Sequence, residues 1–406
     1  MNIWYINPYA GGPGVGRYWR SFYLANAWKA QGNSVEIITP SYHHLMDGET
    51  RKSGSEVIEG VSYNFVRGIR YKGNGVGRLL SMLCFGFVLF FFLLRLGLKK
   101  RPQRIIYSSA HPFGYPAAFF CAKLFGAKIS FEVRDIWPLS LIEIAGFNKF
   151  HPVVLVLSLI ERFAYISADT VISLLPGAQQ YMVSRGMKAE KFQYVPNGFS
   201  LTNACSISKI SSASLLEDLT KFKSQGDFLF FYAGALGEPN AMHLFLDALR
   251  YFKVPEGVSV KFIIVGKGEQ DAELRARCKE LGYNFVLFYS QVDKAQIQQA
   301  LSLVDVGFFV MHDLPIYRFG VSLNKLYDYM AAGVPVVASY NAFNDPVKEA
   351  DCGMSVNPGV PEQLADTLTK MLLLDRNILK EMGVRGRLFL EANFEYTSLA
   401  RRILEN

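Results

Sequence analysis

Short apolar runs alternate with helix-length stretches twice over in this chain, and that alternation leaves few folds open. In the first half, Asn2 to Asn7, Ser34 to Thr39, Ile105 to Ser109, Lys128 to Val133, Thr170 to Ser173 and Phe192 to Val195 read as strands. Arg17 to Gln31, Ala117 to Phe125, Val153 to Ala168 and Pro176 to Ser184 read as helices, the first two stopped by Gly32 and Gly126. Ser200 to Gly226, rich in Ser, Thr, Lys and Asn, breaks the pattern and reads as a connector with some helix in Ser214 to Lys221. Strands then resume at Asp227 to Ala233, Ser259 to Val265, Val286 to Phe288 and Val306 to Val310, with helices between them, and Pro361 to Leu374, Asn377 to Leu390 and Tyr396 to Leu404 close the chain as helices. Repeated βαβα order argues an α/β protein of two Rossmann-like, doubly wound parallel-sheet domains: residues 1–199, a connector at 200–226, residues 227–390, and a closing helix at 391–406 expected to pack back on the first domain. In such sheets ligands bind outside the carboxyl ends of the strands, so the loops there should carry the chemistry.

Size permits this, since 406 residues can build two full cores, and a chain that is 50% apolar and 19% charged is not disordered. A net charge of +8 suits an anionic partner without choosing among nucleic acid, lipid and phosphorylated substrate. Met1-Asn-Ile-Trp-Tyr-Ile reads as a strand, not a secretory signal, and Cys84, Cys121, Cys205, Cys278 and Cys352 are too scattered for a disulfide framework or a zinc site. A reducing cytosol is the expected compartment.

Leu79 to Leu94 is a run of 16 residues without a charge, preceded by Arg78 and followed by Arg95, Lys99, Lys100, Arg101 and Arg104. A spanning helix wants about 20 apolar residues, and a crossing here would separate strands that belong to one sheet. A monotopic helix at 79–98, held by its basic flanks against anionic head groups, is the expected arrangement, with a buried core helix as the plainer alternative.

Among the loops, Ser322 to Ser339 is the richest. Ser322 and Asn324 read as helix caps, Lys325 and Asp328 share a face near the helix start, and Gly333 stops the helix before an apolar strand at Pro335. A diphosphate could lie against the first amides and Lys325, with Asp328 accepting from hydroxyls; the ordinary alternative is an exposed i, i+3 ion pair. Gly12, Gly14, Gly16 and Arg17 lie in a glycine loop between the first strand and first helix that suits an oxyanion, yet is neither a dinucleotide fingerprint nor a P-loop. His111 follows a strand and could polarise a hydroxyl, and Arg134 and Asp135 stand directly after the strand Lys128 to Val133. Gly234 to Asn240 and Val265 to Glu269 are strand-to-helix turns with paired glycines, and no cluster has metal-ligand spacing.

In this order the pieces resemble glycosyltransferase family 4, the retaining GT-B enzymes, over nearly the full length, and most closely the bacterial polysaccharide transferases of the N-acetyl-L-fucosamine transferase (WbuB) kind. The resemblance is carried by Gly11-Gly12, FEVRDIWP at Phe131 to Pro138, IERFAYISADTVISLLPG at Ile160 to Gly177, VPNG at Val195 to Gly198, YAGALG at Tyr232 to Gly237, VGKGE at Val265 to Glu269 and NKLYDYMAAGVPVV at Asn324 to Val337. It implies two Rossmann-like domains facing each other across a cleft. A donor nucleotide would occupy the second, its diphosphate near Gly237 and Lys325, its ribose on Asp328 and its base near Lys267, with Asn240, Arg318, Ser322 and Asn324 around it. The acceptor would lie near the loop of Gly12 to Arg17, with His111, Asp135 and Arg134 toward the reaction. Three departures stand out: the family's usual ribose Glu is Asp328, its second Glu has no counterpart near Arg318, and the diphosphate-holding Arg and Lys after the YAG strand are missing, with Asn240 there instead.

The implied activity is a metal-independent, retaining transfer from a UDP-sugar donor, or a GDP-sugar, to a polyprenyl-diphosphate-linked saccharide acceptor. That reaction belongs to O-antigen or capsule biosynthesis on the cytoplasmic leaflet of the inner membrane. No cofactor and no nucleic-acid partner are expected. A nucleotide-sugar epimerase and a catalytically degenerate saccharide-binding or scaffold protein of the same fold are the alternatives.

Overall fold

The computed structural model describes residues 1–46, 50–73, 75–200 and 213–405. The chain divides into two units, one of Met1–Ser200, Phe319–Ser322 and Tyr396–Asn406, the other of Leu201–Arg318 and Leu323–Glu395.

The first unit is built on eight strands: β1 (Asn2–Ile6), β2 (Ser34–Pro40), β3 (Gly54–Ile58), β4 (Val61–Val66), β5 (Arg104–Ser109), β6 (Lys128–Val133), β7 (Thr170–Ser173) and β8 (Phe192–Tyr194). They are ordered β3-β4-β2-β1-β5-β6-β7-β8, and all pairings are parallel except β3 with β4. Strands buried on both faces read as unbroken apolar runs, and Ile3 to Ile6 and Ile105 to Tyr107 are fully buried. The order reverses between β1 and β5, which makes the loops after those two strands the mouth of a crevice.

The β3–β4 hairpin is absent from the strands expected above. Its two-residue turn, Glu59-Gly60, has both φ angles positive (44° and 78°), a tight primed turn matched to strand twist. The first helix starts at Arg20, not at Arg17, because the preceding residues are tied into the glycine loop: Arg17 N–H donates to Leu45 and Gly11 N–H to Tyr18. The last helix, Tyr396–Leu404, belongs to this first unit, where Trp28 Nε1 donates to the Ala400 carbonyl at 2.8 Å and Tyr23 stacks on Tyr396.

The apolar helix runs over Val76–Lys99 and connects β4 to β5. Both strands pair in one sheet, so the helix is a crossover that starts and ends on the same side, and a bilayer crossing is incompatible with it. Nor is it a core helix. Met82, Phe85, Leu89, Leu93 and Gly97 form one buried stripe against the helix Tyr115–Phe125, so close at Gly97 that a methyl there would lie 2.1 Å from the Phe125 ring. The opposite face leaves Leu80, Leu83, Phe87, Phe91 and Leu98 exposed, Phe87 by 70% and Leu98 by 84%.

The second unit contains β9 (Phe228–Ala233), β10 (Val260–Val265), β11 (Val286–Tyr289), β12 (Val306–Val310), β13 (Val336–Ser339) and β14 (Gly353–Val356), all parallel in the order β11-β10-β9-β12-β13-β14. This is the Rossmann order, with its reversal between β9 and β12. The expected connector is only partly what it seemed: residues 201–212, Cys205 among them, lie outside the described residues, while Ala213–Ser224 is a helix of the second unit. Asp218 of that helix accepts from Tyr289 at 2.8 Å, and Lys223 pairs with Asp305 at 2.6 Å.

Candidate active site

In the second unit the site forms where β9 and β12 end. The turn after β9, Gly234 to Asn240, lies directly on the turn after β10: a methyl on Gly266 would sit 1.9 Å from the Gly234 carbonyl, and one on Gly268 would sit 2.0 Å from that of Leu236. The glycines of VGKGE are therefore required by the contact between two loops, and Lys267 uses its carbonyl to hold Leu236 N–H at 2.9 Å while its side chain is exposed.

Lys325 reaches this turn from the helix Asn324–Ala331. Its ammonium lies over the Tyr232 ring at 4.8 Å, 3.4 Å from the Tyr232 hydroxyl, and donates to the Asn240 side-chain oxygen. Burial pushes its pKa down to about 7. Asp328, one turn along, has Lys294 at 3.4 Å; burial raises its pKa, and the Lys294 charge works against that rise. The i, i+3 ion-pair reading is thus replaced: each residue is held by a partner from elsewhere in the unit. Tyr329 on the same helix fixes the helix to the sheet, its hydroxyl accepting from Ala233 N–H at 3.1 Å and donating to the Phe308 carbonyl at 3.3 Å.

The cap reading of Ser322 and Asn324 is corrected. The residue before the helix is Leu323, no side chain caps it, and Asn324 is the exposed first helical residue. Ser322 belongs to the first unit, where its hydroxyl accepts from Asn197 N–H at 2.8 Å and its carbonyl accepts from the Asn197 side chain at 3.0 Å. Arg318 is exposed and donates to the Pro315 carbonyl at 2.5 Å. Gly237 precedes the short turn Glu238–Asn240.

Three residues that sequence reasoning missed complete the site: Lys294, His312 and Glu238. His312 is the second residue after β12, and its Nε2 is 3.1 Å from Glu238 Oε1. Its ring lies 5.2 Å from that of His243, and Gln270 donates to the other Glu238 oxygen at 2.7 Å. Only the position of His312 at a strand's carboxyl end pointed to it.

The matching crevice of the first unit is centred on Tyr9. Arg78, in the first turn of the apolar helix, lies over the Tyr9 ring at 5.6 Å and donates to its hydroxyl at 3.1 Å. His44, His43 and His111 surround the ring at 4.8, 5.6 and 5.9 Å. Burial pushes His43 to about 4 and, with Arg78 adding repulsion, His44 to about 4 and His111 to about 3, so all three are neutral imidazoles at physiological pH. His111 is only 2% exposed, packed against Phe85 and Phe113, with its Nδ1 lacking a described partner.

Asp135, by contrast, is exposed at the end of β6, and Arg134 lies 3.7 Å over the Tyr18 ring. Tyr18 in turn closes the glycine loop, whose amides are largely spent: Gly12 N–H donates to Gly16 at 3.1 Å, Gly16 N–H to Gly12 at 3.3 Å and Arg17 N–H to Leu45 at 3.1 Å. The open amide cradle expected there is not present, and exposed Gly14 is occupied by Arg51, which donates to its carbonyl at 2.5 Å. Beneath the crevice Arg20 and Glu132 form a fully buried pair at 2.7 Å, with Tyr5 and Ser108 also donating to Glu132. Burial alone would raise the Glu132 pKa; Arg20 and these hydrogen bonds outweigh it and hold it low.

The model for group 1 glycosyl transferases matches residues 227–373, and that for the glycosyl transferase 4-like domain matches residues 14–198. No curated protein matches the sequence. Among solved structures, HepE of Anabaena in complex with UDP-glucose superposes with a TM-score of 0.67 at 18% identity, covering 100% of this chain and 98% of its own. Sucrose-phosphate synthase of Thermosynechococcus elongatus gives 0.73 at 16% identity over 99% and 97% of the two chains. WaaG, a glycosyltransferase involved in lipopolysaccharide biosynthesis, gives 0.64 at 16% identity over 99% and 98%. These likenesses establish the GT-B fold of two Rossmann-like units. With one of these glycosyl transferase domain matches falling on each unit, the chain is a glycosyltransferase of GT-B fold.

Proposed function

We propose that this glycosyltransferase moves a sugar, with retention of anomeric configuration and without a metal, from a UDP-sugar to a polyprenyl-diphosphate-linked saccharide. The reaction would occur at the cytoplasmic face of the membrane and serve surface-polysaccharide synthesis. The observation that carries the donor half is Lys325, an ammonium held at the reversal point of the β9–β12 sheet beside the Gly234 to Asn240 turn, with Asp328 one helical turn away. A diphosphate supplies the negative charge that a desolvated ammonium lacks, and a ribose supplies the hydroxyl pair that a carboxylate accepts. The UDP-glucose bound by HepE supports the uridine nucleotide, and the lipopolysaccharide role of WaaG supports the pathway class.

The membrane half draws on the outward face of Val76–Lys99. That face does not stand alone: Phe120 and Leu124 on Tyr115–Phe125 and Leu155, Val156 and Leu159 on Pro152–Ser167 are exposed as well, so three helices of the first unit present apolar side chains. Arg95, Lys99, Lys100 and Arg101 lie at the end of the apolar helix, suited to anionic head groups. A helix lying on the surface of one leaflet satisfies both this face and the same-sheet crossover. Asp135, exposed at the end of β6, is the residue of the first unit best placed to meet an acceptor hydroxyl.

A thermal-shift titration of the detergent-solubilised chain with UDP, GDP, ADP and NAD, with and without EDTA, tests the donor. A selective, EDTA-insensitive rise with UDP is expected. No rise with any of them would overturn the reading in favour of a saccharide-binding scaffold. A radiolabelled transfer assay on a lipid-linked acceptor separates transfer from epimerisation.

A further inference from the structure

One short turn in the second unit holds two basic side chains, not one. The turn Glu238–Asn240 engages Lys325 through the Asn240 side-chain oxygen and His312 through the Glu238 carboxylate. We propose that His312 is the second ligand for the donor diphosphate, acting beside Lys325, and that Glu238 occupies it until a nucleotide arrives. This rests on the reading of the Lys325 site as a diphosphate site.

The geometry favours a phosphate at this position over a permanent ion pair. His312 follows β12 and the Glu238 turn follows β9, the two strands between which the sheet order reverses, so the pair stands at the mouth of the nucleotide crevice. The His312 Nε2 atom is buried and, although 3.1 Å from Glu238 Oε1, lies out of hydrogen-bond alignment with every described group. The His243 ring packs against the imidazole at 5.2 Å, tilted by 42°. Glu238, by contrast, has a side chain 66% exposed, and its second oxygen is shared with Gln270. A solvated carboxylate holds an imidazole N–H weakly, whereas a diphosphate offers several anionic oxygens and shorter, charge-assisted bonds.

The consequence for chemistry follows from charge. When the bond between the anomeric carbon and the phosphate oxygen breaks, its electron pair stays on the departing nucleoside diphosphate, which gains one negative charge. The Lys325 ammonium and the His312 ring N–H stabilise that charge more than they stabilise the intact donor. The two N–H donors come from different elements, one from the helix Asn324–Ala331 and the other from the end of β12.

The test is isothermal titration of UDP into the full chain and three variants at one pH. Lys325→Ala should lose UDP binding. His312→Gln should weaken it about tenfold or more, the scale of one charged hydrogen bond. Glu238→Gln should tighten it several-fold, because the competing carboxylate is gone. Wild-type binding that Lys325→Ala abolishes and His312→Gln leaves unchanged would overturn this inference while the donor reading stands. A wild-type chain that binds no nucleoside diphosphate would remove both. Should His312→Gln fail to fold by circular dichroism, Glu238→Gln decides: tighter binding supports the inference and unchanged or weaker binding rejects it.

Discussion

Donor affinity should fall steeply on the alkaline side of neutrality, and Lys325 sets where. Without nucleotide its pKa is about 7, lowered by burial, so it is half charged near neutrality and mostly neutral at pH 9. A bound diphosphate favours the charged form, so binding above pH 7 must be accompanied by proton uptake. Each pH unit well above the free-state pKa then costs up to a factor of ten in affinity, and raising the pH from 7 to 9 should weaken UDP by up to about 50-fold. Phosphate groups with a second pKa near 6 have largely finished titrating in this window and contribute little. Titration calorimetry at pH 7, 8 and 9, in buffers of different ionisation enthalpy, reads both the affinity and the protons taken up, which should approach one per site. The sign for folding runs the other way. The unfolded lysine keeps its proton up to its ordinary pKa near 10.4, whereas the folded one has lost it above about 7, so the donor-free chain gains stability from this group as pH rises through that interval. Lys325→Met should remove that rise and be more stable than the parent at neutral pH. An affinity that stays flat from pH 7 to 9 with no proton uptake would refute the reasoning.

Arg20→Met should destabilise the first unit by about 3–5 kcal/mol, because it strands the fully buried Glu132 and frees the Pro196 carbonyl that Arg20 holds; urea unfolding measures it, and a loss under about 1 kcal/mol would contradict the pairing. Gly268→Ala has no room against Leu236 and should cost about 1–3 kcal/mol while weakening UDP through displacement of the Gly234 to Asn240 turn; a variant with parental melting and affinity would show that the two loops are not in contact. Phe87→Asp combined with Leu159→Asp should abolish sedimentation with anionic vesicles and leave UDP binding intact. Undiminished sedimentation of that double variant would argue that this face does not meet the bilayer.

Much of the architecture was readable because parallel strands covered on both faces must be apolar throughout. β1, β5, β6, β9, β10 and β12 declare themselves as runs such as Phe228 to Ala233 and Val306 to Val310. The β3–β4 hairpin escaped because its edge strand, Gly54–Ile58, is exposed and polar, so only the Glu59-Gly60 turn betrayed it. Lys325 and Asp328 were legible as a pair on one helix face, a purely local relation. Their actual partners, Asn240 and Lys294, were not, since those arrive from other strands' loops. Ser322 shows the converse error: a local rule made it a cap, while Asn197, far away in the chain, claims its hydroxyl.

What the sequence determined by itself is whatever depends on periodicity and near neighbours: two Rossmann-like units, glycine turns at their strand ends, and one helix too apolar for an ordinary surface. What only the tertiary structure decided is whatever depends on strands adjacent in the sheet but distant in the chain. Strand order made the apolar helix a crossover within one sheet and so ruled out a span. The neighbouring of β9 and β12 brought His312 to Glu238, and burial, a sum over all surrounding atoms, lowered the lysine and turned His111 inward. No local pattern encodes a sum of that kind, because each contributing residue satisfies its own neighbours first.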